Sequence, residues 1–153
     1  MIKIKTLFII SFVLASFPLI LNAQSNTVID NLLEKDKAGF GSASYMVFTA
    51  AGILKDNSSF EEALQYLNKL KWKMNNKEPG EYITLGEYSY MLMKTFNIDG
   101  GIMYQIFPGP KYAARELFYL KLIDKDRDSS RYISGEEVIR ILGRLLEWKE
   151  NKQ

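Results

Sequence analysis

The stretch Asp126–Glu137 reads D-R-D-S-S-R-Y-I-S-G-E-E. Oxygen-bearing side chains recur at alternate positions, at Asp126, Asp128 and Ser130. Hard oxygen donors spaced this way can curl around one hard cation. Histidine and cysteine are both absent from the chain. Their absence excludes a Cys or His nucleophile, a His general base, a His/Cys zinc site and a disulfide. Stability must come from packing. A second carboxylate arrangement is Glu87 with Glu137, which lie at equivalent places in an internal repeat. A facing pair of acids is the machinery of glycan hydrolysis. A simpler role covers both. Ile133-Ser134-Gly135-Glu136-Glu137-Val138 is a capping box with a hydrophobic staple, and Ile83-Thr84-Leu85-Gly86-Glu87-Tyr88 has the same design. The expectation is therefore a protein that is not an enzyme.

The stretch 126–137 resembles the EF-hand loop. That resemblance implies Asp126, Asp128 and Ser130 as side-chain ligands and Tyr132 as a carbonyl ligand. It also implies Ser134 acting through water and Glu137 closing the site with two oxygens. Arg131 departs from the pattern, standing where the family has its turn glycine, and left-handed backbone there is costly. Asp124-Lys125 also separate the loop from the preceding helix. The equivalent stretch Asn76–Glu87 contains Pro79 and keeps only Asn76, Glu78 and Glu87 as oxygen ligands. Any ion site is thus expected once, not as a pair. Capping accounts for the residues both copies share. It leaves Asp124, Asp126 and Asp128, which alternate with Lys125, Arg127 and Arg131 as in a solvated mixed-charge loop. Two readings stand: one weak calcium site, of about 10⁻⁴–10⁻³ M affinity, or no cofactor.

The repeat sets the elements that position these residues. Phe60–Ile98 matches Pro110–Trp148 without gaps at an offset of 50 residues. Identical pairs include Ala63/Ala113, Leu67/Leu117, Leu70/Leu120, Lys71/Lys121, Tyr82/Tyr132 and Leu92/Leu142. A period of this size marks one helical unit used twice. Apolar spacing predicts helices over Ser58 or Ser59 to Lys71, Thr84–Asn97, Tyr112–Ile123 and Ser134–Lys149. Further helical material is expected at Thr27–Lys35 and Ser42–Leu54. Ile102–Phe107 reads either as a helical turn or as a short extended piece. The aromatics of Ile98–Leu120 are expected to pack the two units together, with Tyr119 inward. No stretch shows sustained strand alternation, so the class is all-α: two tandem helix–loop–helix repeats, 59–98 and 110–148, in one domain over 42–153 with a leader at 24–41.

The repeat also resembles the surface-layer homology (SLH) module. The matching pieces are Phe60–Leu70 with Ile83-Thr84-Leu85-Gly86-Glu87, and Tyr112–Leu120 with Ile133-Ser134-Gly135-Glu136-Glu137. The family resemblance implies non-covalent attachment to cell-wall glycan. The family's arginine after the Ile-Thr pair is replaced by Leu85 and Gly135. Three copies are usual there, and Ser42–Asp56 is the stretch left for a third, without a convincing alignment.

The first residues read as a secretory signal peptide over 1–23. Lys3 and Lys5 give a basic start, Leu7–Leu21 is apolar, and Leu21-Asn22-Ala23 offers a cleavage site. The alternative is an uncleaved membrane anchor. Taking Lys3 and Lys5 from 20 basic residues leaves 18 against 18 acidic, so the remaining chain is formally neutral. Nothing in that balance favours nucleic acid or an anionic membrane surface. The expected location is exported, periplasmic or cell-surface. The expected partner is a cell-envelope glycan or protein, with a membrane only if the signal stays uncleaved.

Overall fold

Three short stretches of extended backbone, at Ala38, Ile83 and Ile133, meet and close a ring of hydrogen bonds. The Ala38 N–H donates to the Ile133 carbonyl (2.7 Å), Ile83 to Ala38 (3.0 Å) and Ile133 to Ile83 (3.4 Å). All three side chains are fully buried. The computed structural model describes residues 23–74, 77–124 and 126–152. Its helices are α1 (Ala23–Leu33), α2 (Phe40–Ala50), α3 (Phe60–Lys69), α4 (Leu85–Thr95), α5 (Ile102–Ile106), α6 (Pro110–Tyr119) and α7 (Gly135–Glu150). The protein is all-α. The signal-peptide reading falls outside the described residues. Among those described, no helix is long and apolar enough to cross a membrane.

Each ring residue immediately precedes an N-cap: Gly39 for α2, Thr84 for α4 and Ser134 for α7. The other helices pack around these in a cycle, α3 on α2, α6 on α4, and α1 on α7. α2 also touches α4 and α7, so the second helix of each pair lies towards the centre. α4 is the extreme case, with every residue from Leu85 to Met93 buried. Its two buried polar side chains, Glu87 and Ser89, are hydrogen-bonded, so the helix can lie inside.

Residues 24–41, expected as a leader, therefore contribute to a third helix pair. Leu32, Ala38 and Phe40 are core residues. The correspondence runs at an offset of 45, not 50, and aligns Gly41, Ser44 and Tyr45 with Gly86, Ser89 and Tyr90. Ser44 and Ser89 both donate to the carbonyl four residues back, each at 2.7 Å.

Neighbouring pairs are tied through the starts of these helices. Phe40 and Gly41 donate to the carbonyls of Glu81 (2.6 Å) and Pro79 (2.9 Å). Leu85 and Gly86 donate to Arg131 and Ser129, both at 2.9 Å. The third tie is single, from Gly135 to Lys35 at 2.9 Å. Free N–H groups of a helix start need acceptors, and here the next loop supplies them. Gly86 must be small because a Cβ there would lie 2.9 Å from the Ser129 carbonyl oxygen.

The other helix signals resolve cleanly. Ser59, not Ser58, caps α3 with Glu62 completing the box. α5 settles the 102–107 ambiguity as a helix. Lys71, Asn97 and Lys121 all take positive φ just after helix ends. After α6, Lys121 donates to Phe118 (3.0 Å) and Leu122 to Leu117 (2.9 Å), a Schellman closure. The repeated Lys71/Lys121 pair is thus a helix-stop pair. Tyr119, expected inward, is 61% exposed. Two residues beyond the buried Leu117, it lies about 200° round the helix and so on the opposite face.

Candidate functional site

Glu87 and Glu137 each sit at the third position of a helix, inside a complete capping box. The Glu137 backbone N–H donates to Ser134 Oγ (3.2 Å), and Ser134 N–H returns to Glu137 Oε2 (3.3 Å). Each carboxylate also holds a basic side chain from its own loop. Arg131 donates through Nη2 to Glu137 Oε1 (2.7 Å) and through Nη1 to Oε2 (2.9 Å). Lys77 Nζ lies 2.8 Å from Glu87 Oε2 and donates to the Tyr82 carbonyl, also at 2.8 Å. Arg131 Nη1 makes the equivalent contact with the Tyr132 carbonyl at 3.4 Å. Bonding to Arg131 is the main cause holding Glu137 below the usual carboxylate range, against the opposing effect of burial.

The guanidinium reaches further. Arg131 Nε is 3.3 Å from Asp126 Oδ2, and Nε and Nη2 donate to the Asp126 carbonyl at 3.4 and 3.3 Å. Arg131 thus joins the first and last residues of the stretch expected to bind calcium. The other expected ligands are engaged locally. Asp128 Oδ1 accepts from Ser130 N–H (3.0 Å) and Ser130 Oγ (2.7 Å), and these bonds hold its carboxyl low. Asp128 N–H donates to Asp126 Oδ1 at 3.0 Å. Ser134 is the cap, and the Tyr132 carbonyl faces Arg131. Among the described residues, no three carboxylates converge as a metal cluster would. The Arg131 guanidinium lies between Asp126 and Glu137 in the loop.

A concavity of about 670 Å³ opens beside this loop, with Arg131, Arg140 and Arg144 facing Asp124, Asp126 and Glu137. Arg144 pairs with Asp124 at 2.6 Å, and Arg140 with Glu136 at 2.9 Å. Its charges are neutralised within the protein. Both glutamates considered for hydrolysis are committed to caps and cations.

A second groove, of about 680 Å³ and not legible in the sequence, lies between α1, the start of α2, α3 and the loop before α4. Val28, Leu32 and Phe60 supply its apolar wall. Asn31, Glu34, Asp36 and Ser42 supply polar groups, and Tyr82 stands at one side with Lys37. Tyr82 and Tyr132 are about half exposed, with ring centroids 5.7 Å apart at 67°. Lys37 Nζ lies 5.3 Å from one ring and 5.0 Å from the other. Lys37, Tyr82 and Tyr132 each immediately precede a ring residue, so the ring brings them together. The repeated tyrosine pair was the available signal, but the groove needed α1, which lay in the supposed leader. No protein-family model matches the chain, and neither does a curated protein or a solved structure.

Proposed function

We propose that this is an exported, non-enzymatic protein of the cell envelope that binds an envelope component, with wall glycan as the first choice and protein as the second. The observation that carries the reading is the groove beside Tyr82. It combines an apolar wall, an exposed aromatic face and a mixed rim of amide, hydroxyl, carboxylate and ammonium groups. Sugars present alternating C–H faces and hydroxyl edges, and such a groove meets both. Its balanced charge favours a neutral or weakly charged glycan over a polyanion. The three helix pairs agree in number with the SLH modules that the repeat resembles. The signal-like segment 1–23 supplies the export route, periplasmic or to the cell surface.

The test is retention on purified peptidoglycan sacculi and on extracted wall polysaccharide, with Tyr82→Ala as control. Losing one aromatic face should weaken binding by about tenfold, near 1.4 kcal/mol. Equal retention of the variant, or none by the original chain, sinks the glycan reading and leaves envelope protein as the partner.

Calcium is the second reading, favoured by the exposed acids Asp126 and Asp128 on alternate residues. An ion at this loop would compete with Arg131 for Glu137 and the Tyr132 carbonyl. Calorimetric titration of chelator-stripped protein decides it, with Asp126→Asn/Glu137→Gln as control. Arg131→Gly, which restores the loop glycine and removes the internal cation, should bind calcium more tightly than the original chain.

A further inference from the structure

We infer that the short helix α5 and the adjacent face of α6 form a docking surface for an anionic lipid bilayer. α5 carries the densest exposed apolar residues among those described. Ile102 is 74% exposed, Ile106 59%, Phe107 58% and Met103 46%. They share one side of the turn, while Tyr104 on the other side is buried and anchors it. Gln105 closes the turn by donating to the Gly100 carbonyl at 2.9 Å. The Pro108-Gly109-Pro110 link stiffens the exit. All four lie strongly exposed on one side of a single turn, outside the grooves beside Tyr82 and Arg131. They form a ridge. A ridge suits insertion between headgroups, whereas a partner protein would have to bring the matching groove.

The charge beside the ridge selects the kind of surface. Phe107 stacks on Tyr112 at 6.2 Å and 26°, and the Arg115 guanidinium lies 5.9 Å from the Tyr112 ring centroid. Arg115 continues into a concavity of about 350 Å³ shared with Lys111, Arg127, Asp128 and Ser129. No ion pair among the described residues engages Lys111, Arg115 or Arg127. Asp128, held ionised by its bonds from Ser130, keeps one negative charge against the three positive ones of the concavity. Two acidic residues stand at the start of α5, where Asp99 precedes it in sequence and the Glu116 carboxylate approaches Gly101. Apolar insertion and phosphate pairing are each weak alone, and reversible membrane binding needs two such signals. This surface joins the two through Tyr112, on which Phe107 stacks and over which Arg115 lies. Overall neutrality conceals the local segregation.

The experiment exploits the absence of cysteine. Ile102→Cys in the full chain is labelled with an environment-sensitive fluorophore and mixed with vesicles of phosphatidylglycerol and phosphatidylcholine. The label, unlike a sedimentation assay, reports the ridge itself and is not confused by binding through residues 7–21. The expected result is a blue shift, quenched by bromine-labelled acyl chains and reduced by high salt. Each basic residue near an anionic surface contributes about fivefold in affinity, so K111Q/R115Q/R127Q should weaken the response by roughly 100-fold. A label that stays in water while the chain binds vesicles overturns the proposal. So does an equal response with pure phosphatidylcholine. A shift that appears without vesicles as concentration rises identifies a second copy as the occupant. A shift that needs added envelope protein identifies a protein partner. Either outcome also overturns the proposal.

Discussion

Gly135→Ala tests the closure of the helix cycle. Gly135 is the first residue of α7, and its N–H donates to the Lys35 carbonyl at 2.9 Å. A Cβ built there would run into the Leu32 carbonyl group, which is backbone and has no rotamer to yield. The end of α1 must then move off α7. Leu32 is 2% exposed, and releasing it costs about 1.5–3 kcal/mol. The lost bond to Lys35 adds about 1 kcal/mol. Alanine's better helix propensity returns up to about 1 kcal/mol. The net expectation is a loss of about 2–3 kcal/mol. Gly143 lies in the same helix and is exposed, with nothing within 4 Å of a built Cβ. Gly143→Ala should therefore stabilise by about 0.5–1 kcal/mol. Urea unfolding separates the two. With a slope of about 1–3 kcal/mol per molar, Gly135→Ala should lower the midpoint by about 1–2 M, and Gly143→Ala should raise it by a few tenths. If both variants gain stability, α1 is not held against α7 and the cycle is open in solution.

Three further predictions follow from the caps and loops. Lys121→Gly should stabilise by about 0.5–1 kcal/mol, because Lys121 has φ 59° and glycine takes that conformation without a Cβ penalty; calorimetric melting reads it. Lys77→Met leaves Glu87 facing its cap without a cation, and should cost about 2–3 kcal/mol in chemical denaturation. That is below the range for fully buried pairs, since the two side chains keep 15% and 9% exposure. The Glu137–Arg131 pair should make stability fall in acid. Glu137 has a folded pKa below its unfolded value, so its contribution is full above about pH 4.3 and lost as pH falls through the folded value. The stability gap between the original chain and Arg131→Gln should shrink from pH 5 to pH 3, and a gap flat with pH would count against the pairing.

Much of the helical architecture could be read from periodicity and caps. Ser59, Thr84 and Ser134 each stand three residues before a glutamate, and all three boxes form. The third helix pair lacked that signal. Gly39 offers no side-chain cap, and carbonyls from the loop at 79–81 do its work across space. Its offset of 45 also broke the gapless match. α5 is only five residues long, too short for a helical period to separate it from an extended piece. Aromatic density in 98–120 suggested core, yet Tyr104 is buried while Phe107 is 58% exposed. Composition counts apolar residues, but only the direction of α5 decides which ones face out.

Folding demands on the loop before α7 account for its oxygen groups without requiring a metal ion. A capping glutamate must sit at the third helical position, and its carboxylate then lies near the carbonyl of the tyrosine five residues before it. Two negative ends at short range call for a cation. The two loops supply one from different places, since Lys77 aligns with Arg127 and Arg131 with Glu81 at the repeat offset. The shared residues are the acceptors, Tyr82/Glu87 and Tyr132/Glu137. The cation itself is not shared, so comparing the copies residue by residue leaves it hidden. An oxygen set kept in both copies with a variable internal cation is what helix starts under electrostatic demand would produce. A metal loop would instead keep its ligands and spare the arginine. Arg131→Gly is the single change that separates the two, because it removes the arginine while leaving every expected calcium ligand in place.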